Sequence, residues 1–219
     1  MVLALWHTQA VARPRLAPPR LARRLAANPD LVDAATVAPR LLVKLVYSTT
    51  DNFMHRDVYG DLERCYLRRP AATALARAEE VLRKLRPDLR LLVHDCVRPR
   101  SVQREMWKLV QGTREQPYVA DPARGSMHNL GCAVDLTLAD EKGTALEMGT
   151  PFDHAGPLSQ PRQERAHVLR GKLTLPRWAN RLLLRLVMVQ AGFIPLDIEW
   201  WHFDCATPDR ARRQFRVVE

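Results

Sequence analysis

The pattern of apolar and polar positions divides this chain into a polar, Pro-broken start and a long body of alternating helix and strand signals. Residues 1–38 are rich in Ala, Arg and Pro, with Pro14, Pro18 and Pro19 interrupting any helix and one short helix expected near Leu21–Ala27. Leu41–Tyr47 is apolar and compatible with a strand, and Tyr47–Phe53 reads as loop. Ala71, Leu75, Ala78, Leu82 and Leu85 recur at spacings of three and four, an amphipathic helix opening at Pro70 and ending before Pro87. Leu91–Val93 reads as a buried strand. Ser101 is placed to cap the next helix, whose inner stripe is Val102, Met106, Leu109 and Val110 and which Gly112 closes. Residues 113–131, with Pro117, Pro122, Gly125 and Gly131, form a long loop of the kind that carries function. Cys132–Leu138 alternates as a strand, Asp140–Gly143 is a turn, and Ala145–Met148 is its expected partner strand. Residues 149–172 are polar and irregular. Pro176 opens what reads as the longest helix, through about Gln190 with Gly192 just past its end, and a final strand carries Glu199–Phe203.

This order predicts an α+β fold: one compact domain with a small, mainly antiparallel sheet flanked by helices. The division expected is an N-terminal arm or leader over 1–38 and a catalytic domain over 39–219. At 219 residues the chain can bury a sizeable core. Its 47% hydrophobic and 26% charged residues are ordinary for a globular protein, and no apolar run is long enough to span a membrane. The net charge of +10 raises a nucleic-acid or anionic-surface partner. The arginines are scattered and not interleaved with aromatics, so a solvated basic surface is the better reading, with no nucleic-acid motif. At the start, Met1–Trp6 is apolar and Ala10-Val11-Ala12 resembles a cleavage site. His7 and Gln9 interrupt the run and no basic segment precedes it, which makes a poor signal peptide and leaves both cytoplasm and export open. Nothing in the sequence sets an oligomeric state. Cys65, Cys96, Cys132 and Cys205 include no C-x-x-C, which argues against a structural zinc knuckle and leaves free thiols and two disulfides both open.

The candidate chemistry lies in two separated motifs, Ser126-Met-His128-Asn-Leu-Gly131-Cys-Ala133-Val-Asp135 and Glu199-Trp200-Trp201-His202. Two imidazoles and a carboxylate without thiolates suit Zn²⁺, three protein ligands with one open position suit a catalytic ion, and a free carboxylate nearby suits the base that a metal-activated water needs. His128, Asp135 and His202 are the candidate ligands and Glu199 the candidate base. Gly131 is the residue that permits the ligands on either side to converge. Glu199 and His202 are three residues apart, so in a regular strand they face opposite ways; the reading requires Glu199 to sit at the strand's entrance. Trp200 and Trp201 read first as core.

At these residues the chain resembles the VanX-type D-alanyl-D-alanine dipeptidases, zinc enzymes of a clan that also holds cell-wall carboxypeptidases and hedgehog-like domains. Every fixed position of the family pattern S-x-H-x-x-G-x-A-x-D followed by E-W-W-H is present. Tyr47–Phe53 is similar to the family's Y-A-T-x-D-N-F, Asp95–Pro99 to D-x-Y-R-P with Val97 in place of the aromatic, and Met148–Asp153 to M-G-x-x-F-D. The resemblance implies one zinc held by His128, Asp135 and His202, Glu199 as general base, Arg98 facing the developing oxyanion, Tyr47 and Asp153 holding a free amino group, and Ser126 positioning the terminal carboxylate. The implied substrate is the dipeptide D-Ala-D-Ala, in bacterial cell-wall metabolism. Alternatives are a peptidoglycan stem-peptide carboxypeptidase or endopeptidase on the same site, and a zinc-stabilised binding module, against which Glu199 and Arg98 both speak. Val97 removes a support expected beside Arg98. Residues 154–163 look like an insertion, able to change a lid, before Glu164-Arg165-Ala166-His167, which resembles the family's E-R-S-H. Similarity to exported members implies a Cys65–Cys96 disulfide, with Cys132 and Cys205 either near each other or buried thiols.

Overall fold

The structure is a computed structural model that describes residues 21–113 and 115–219. The first part of the expected arm, with the candidate cleavage site, lies outside the described residues. From Leu21 onward the chain is part of the core. Helix α1 (Leu21–Ala26) buries Leu21 and Leu25, and strand β1 (Leu31–Asp33) pairs antiparallel with β3 (Tyr66–Arg68), a two-stranded sheet the hydrophobic pattern does not announce. Both strands are three residues long, too short for a period-2 signal to stand out.

The main sheet runs β2 (Leu42–Val43), β4 (Leu89–Asp95), β5 (Ala133–Asp140), β7 (His202–Asp204) and β6 (Ile194–Pro195). Only β2–β4 is parallel; the other three pairings are antiparallel, so the fold is α+β with a small, mainly antiparallel sheet. β5 is the middle strand and is buried from Ala133 to Ala139, Asp135 and Thr137 included.

Helix α2 (Arg69–Leu85) presents Ala71, Leu75, Ala78 and Leu82 to the core, where it packs against β4 and α5 (Leu175–Gln190). Pro70 and Pro176 each stand second in their helices, where a missing N–H costs nothing. With 17 residues against 16, α2 and not α5 is the longer helix. α3 (Arg100–Val110) buries Val102, Met106 and Val110, leaves Leu109 half-buried, and closes at Gly112 with φ +79°. Its cap is not Ser101: Pro99 occupies that position, and the Ser101 hydroxyl is buried inside the first turn without a partner.

Three further expectations are corrected. The predicted strand Leu41–Tyr47 shortens to β2, and Val46–Ser48 form a 3₁₀ turn. Ala145–Met148 makes one bridge, Ala139 to Ala145, because Gly149 (φ +89°) turns the chain away from the sheet. The irregular segment 149–172 contains α4 (Glu164–Leu169) after two 3₁₀ turns, and α6 (Pro208–Gln214) follows β7.

Two disulfides, Cys65–Cys96 and Cys132–Cys205, take up all four cysteines. The first joins the chain before β3 to the chain after β4. The second closes the end of the β5–β7 ladder, where the Cys205 amide also donates to the Cys132 carbonyl at 2.7 Å. Among the described residues no helix is long and apolar enough to cross a membrane.

Candidate metal and catalytic site

The pairing register lines up the site. Asp135 on β5 stands directly opposite His202 on β7, and Asp95 on β4 is its partner on the other side. His128 comes from a 3₁₀ turn (His128–Leu130) just before β5. Gly131 ends that turn at φ +67°, and a Cβ there would meet Leu31 Cδ2 at 3.2 Å and Arg68 Cγ at 3.3 Å, so glycine is required for conformation and for space. The resulting kink aims His128 back at Asp135.

His128 Nε2 lies 3.3 Å from Asp135 Oδ2 and 3.2 Å from His202 Nδ1, and His202 Nδ1 lies 2.9 Å from Asp135 Oδ1. The three donor atoms fall within 4.8 Å of one another, and all three residues are buried. The outer nitrogens fix which ring atom faces inward. His128 Nδ1 donates to the Cys96 carbonyl at 2.7 Å, and His202 Nε2 faces the Asp204 carboxylate at 2.9 Å. A carbonyl only accepts, so His128 carries its proton on Nδ1 and turns a bare lone pair toward His202 and Asp135. Lone pairs and carboxylate oxygens converging in a buried space fit a divalent cation, and the outer partners are those that orient metal-binding histidines.

Glu199 lies outside β7. Trp200 and Trp201 form a turn and His202 opens the strand, so Glu199 and His202 reach the same space: Glu199 Oε2 is 3.9 Å from His202 Nδ1. This meets the geometric demand that the sequence raises. Burial pushes the Glu199 carboxyl above its ordinary range, with His202 pulling the other way. Both tryptophans are buried, and Trp201 packs edge-on against Phe152 with centroids 5.4 Å apart.

Arg98 is held on every side. Nε donates to Asp95 Oδ2 at 3.1 Å, Nη2 donates to the same oxygen, and Nη1 donates to Gln103 Oε1 at 3.1 Å. Its guanidinium sits 5.2 Å from the centre of the Tyr47 ring. Val97, where the family pattern has an aromatic, packs in the core, and Tyr47 still supports Arg98. Tyr47 in turn donates to Asp153 Oδ2 at 2.8 Å. Asp153 has φ +60°, an unusual conformation for a non-glycine residue that aims its side chain inward. Burial drives the Asp153 carboxyl well above the carboxylate range, against the Tyr47 hydroxyl, which lowers it. Ser126 receives the Asn129 amide on its hydroxyl at 3.3 Å and lies at the rim.

Tyr47, Arg98, Ser126, His128, Asp135, Asp153, Glu199 and His202 all line one cavity of about 320 Å³. Sequence reasoning missed the residues that hold these in place. Asp95 is fully buried and accepts from Tyr59, the Cys96 amide and Arg98. Asp204 had a legible signal: it lies two residues beyond His202, on the same face of a strand.

The donor set and the surrounding catalytic-type groups define the class: a metallopeptidase site on an α+β scaffold. The chain belongs to the M15 peptidases of the D-ala-D-ala dipeptidase family, whose family model matches residues 27–218. It is 36% identical over 175 residues to the D-alanyl-D-alanine dipeptidase of Escherichia coli (strain K12), covering 80% of this chain and 84% of that protein. The dipeptidases of that name from Enterococcus faecium and Streptomyces coelicolor are each 30% identical over 174 residues, 72% of this chain and 82% of theirs. The protein is accordingly a hydrolase of small peptides.

Proposed function

We propose that the protein hydrolyses D-Ala-D-Ala with one zinc ion held by His128, Asp135 and His202, in bacterial cell-wall metabolism. The observation that carries this reading is the convergence of two charge-binding ends and a metal-type centre on a single small cavity. When bound, zinc supplies Lewis acidity toward water and the scissile carbonyl. Glu199 takes the proton of the attacking water and passes it to the leaving amine; its burial keeps it unsolvated and basic enough for that exchange. Arg98, locked by Asp95 and Gln103, presents fixed positive charge to the oxyanion as it develops, and needs no reorganisation when the charge appears. Asp153, with Tyr47 donating to it, receives the substrate's ammonium group, whose positive charge favours the carboxylate that burial alone opposes. Ser126 at the rim meets the terminal carboxylate.

The catalytic unit, as we read it, spans residues 39–219, and the described part of the preceding arm packs onto it through Leu21, Leu25 and β1. Requiring both free ends limits the substrate to a dipeptide. The test is a hydrolysis panel of D-Ala-D-Ala, its N-acetylated form, an L,D-dipeptide and a stem pentapeptide. Turnover confined to the free D,D-dipeptide is expected; equal turnover of the pentapeptide would overturn the reading in favour of a stem-peptide carboxypeptidase.

A further inference from the structure

Glu164-Arg165-Ala166-His167 is a motif the proposed chemistry does not use. Its Glu164 is buried, accepts from Arg185 Nη2 at 2.8 and 2.9 Å and lies 3.5 Å from Arg181, which is 1% exposed on the inner stripe of α5 with Leu184, Val187 and Met188. A guanidinium in a core is costly and contributes little net stability even when paired, so its presence calls for another account. Its contacts supply one. Arg181 Nε donates to the Met148 carbonyl at 2.6 Å, and Nη1 to the Leu158 carbonyl at 2.9 Å and to Glu164 Oε1 at 3.5 Å. Nη2 reaches Thr150 Oγ1 at 3.4 Å, and the guanidinium sits 5.5 Å from the centre of the Trp200 ring. Thr150 Oγ1 also accepts from Trp200 Nε1 at 2.8 Å and meets Ser159 Oγ at 3.2 Å, while the Trp200 amide donates to the Ser159 carbonyl at 3.1 Å. One fork therefore grips both ends of the loop that carries Asp153 and, through Thr150 and Trp200, the turn that carries Glu199. His167 closes the arrangement by holding the Pro157 carbonyl at 3.1 Å. Gly149, at φ +89°, starts the loop beside Arg181, and a Cβ there would collide with Leu173 Cδ1.

We propose that Arg181, held by the Met148 and Leu158 carbonyls, is a positioning residue that sets Asp153 and Glu199 together, so that the amine clamp and the base keep one fixed spacing. This rests on the roles given to those two carboxylates above. A lysine in its place keeps the charge and loses the fork that serves four acceptors at once. The experiment pairs Arg181→Lys with Thr150→Val, which removes the shared hydroxyl at nearly constant shape. Each variant is measured for kcat, for preference of D-Ala-D-Ala over its N-acetylated form and for metal content, and its crystal structure is determined. The expected result is a fall in kcat and in that preference together, about a hundredfold in kcat/KM for Arg181→Lys. Full metal content and displacement of both the Asp153 and Glu199 carboxylates relative to His128 and Asp135 complete it. Either carboxylate staying in its wild-type place in the variants, or metal loss in step with activity, overturns the proposal. Should Arg181→Lys fail to fold, Thr150→Val decides alone. Failure of the wild-type protein to cleave D-Ala-D-Ala would sink the substrate assignment, whereas the two carboxylate positions would still decide the coupling.

Discussion

Glu199 makes no hydrogen bond through its carboxylate among the described residues, and it stands 3.9 Å from a ligand-type nitrogen. A group held in place but left unoccupied is what a proton carrier needs. Glu199→Gln should therefore abolish turnover while metal analysis still finds one ion per chain; near-normal turnover would remove Glu199 from its role. Asp153→Asn should act on recognition instead, raising KM for the free dipeptide far more than it lowers kcat, as steady-state kinetics would report. Asp204 touches only the outer nitrogen of His202, so Asp204→Asn should weaken zinc binding by about 10- to 100-fold, read by competition with a chromophoric chelator. The residues that carry charge or metal were legible because chemistry restricts their identity. Asp95 stood in a motif without a role, and Gln103 was not legible at all, since any buried polar group of the right reach can brace an arginine and only the fold says which one does.

At the level of elements, the long periodic segments read correctly, and so did the short helix α1, while β1, β3 and α4 did not. Ala71, Leu75, Ala78 and Leu82 announce α2 because four turns repeat one message, and the buried run of β5 is similarly plain. β1, β3 and α4 are held by tertiary pairing over three to six residues, where local pattern carries almost nothing. Ser101 shows the same limit: a good capping residue two positions too late becomes part of the turn. Gly131 is the element-scale feature on which the site depends most. Gly131→Ala should cost about 1–3 kcal/mol from the left-handed backbone and the crowding by Leu31 and Arg68, measured as a shift in the denaturation midpoint. It should also lower metal affinity, since the 3₁₀ turn carrying His128 must move. An unchanged midpoint would mean that the turn does not bear the constraint assigned to it.

Across the whole molecule, the two disulfides bracket the metal site: Cys96 supplies the carbonyl that fixes His128, and Cys132–Cys205 closes the two strands bearing Asp135 and His202. Such bonds persist in oxidising compartments, which favours a working life outside a reducing cytosol. Reduction should cost about 2–5 kcal/mol per bridge. Thermal scans with and without reductant, with thiols counted in parallel, should show a lower Tm as four thiols appear. A Tm unmoved by complete reduction would show that the bridges do not hold the fold. The cavity gathers Asp135, Asp153, Glu199 and Asp204 with Arg98 and Arg212, so opposite charges meet there within a chain of net charge +10.

The central claim, a metal-dependent dipeptidase, is tested most directly by D-Ala-D-Ala hydrolysis with the purified full chain, stripped of metal by chelation and then titrated with zinc. The account predicts no turnover in the stripped protein and recovery that saturates at one zinc per chain. Turnover that survives complete metal removal, or a reloaded protein that leaves the dipeptide intact, would contradict it.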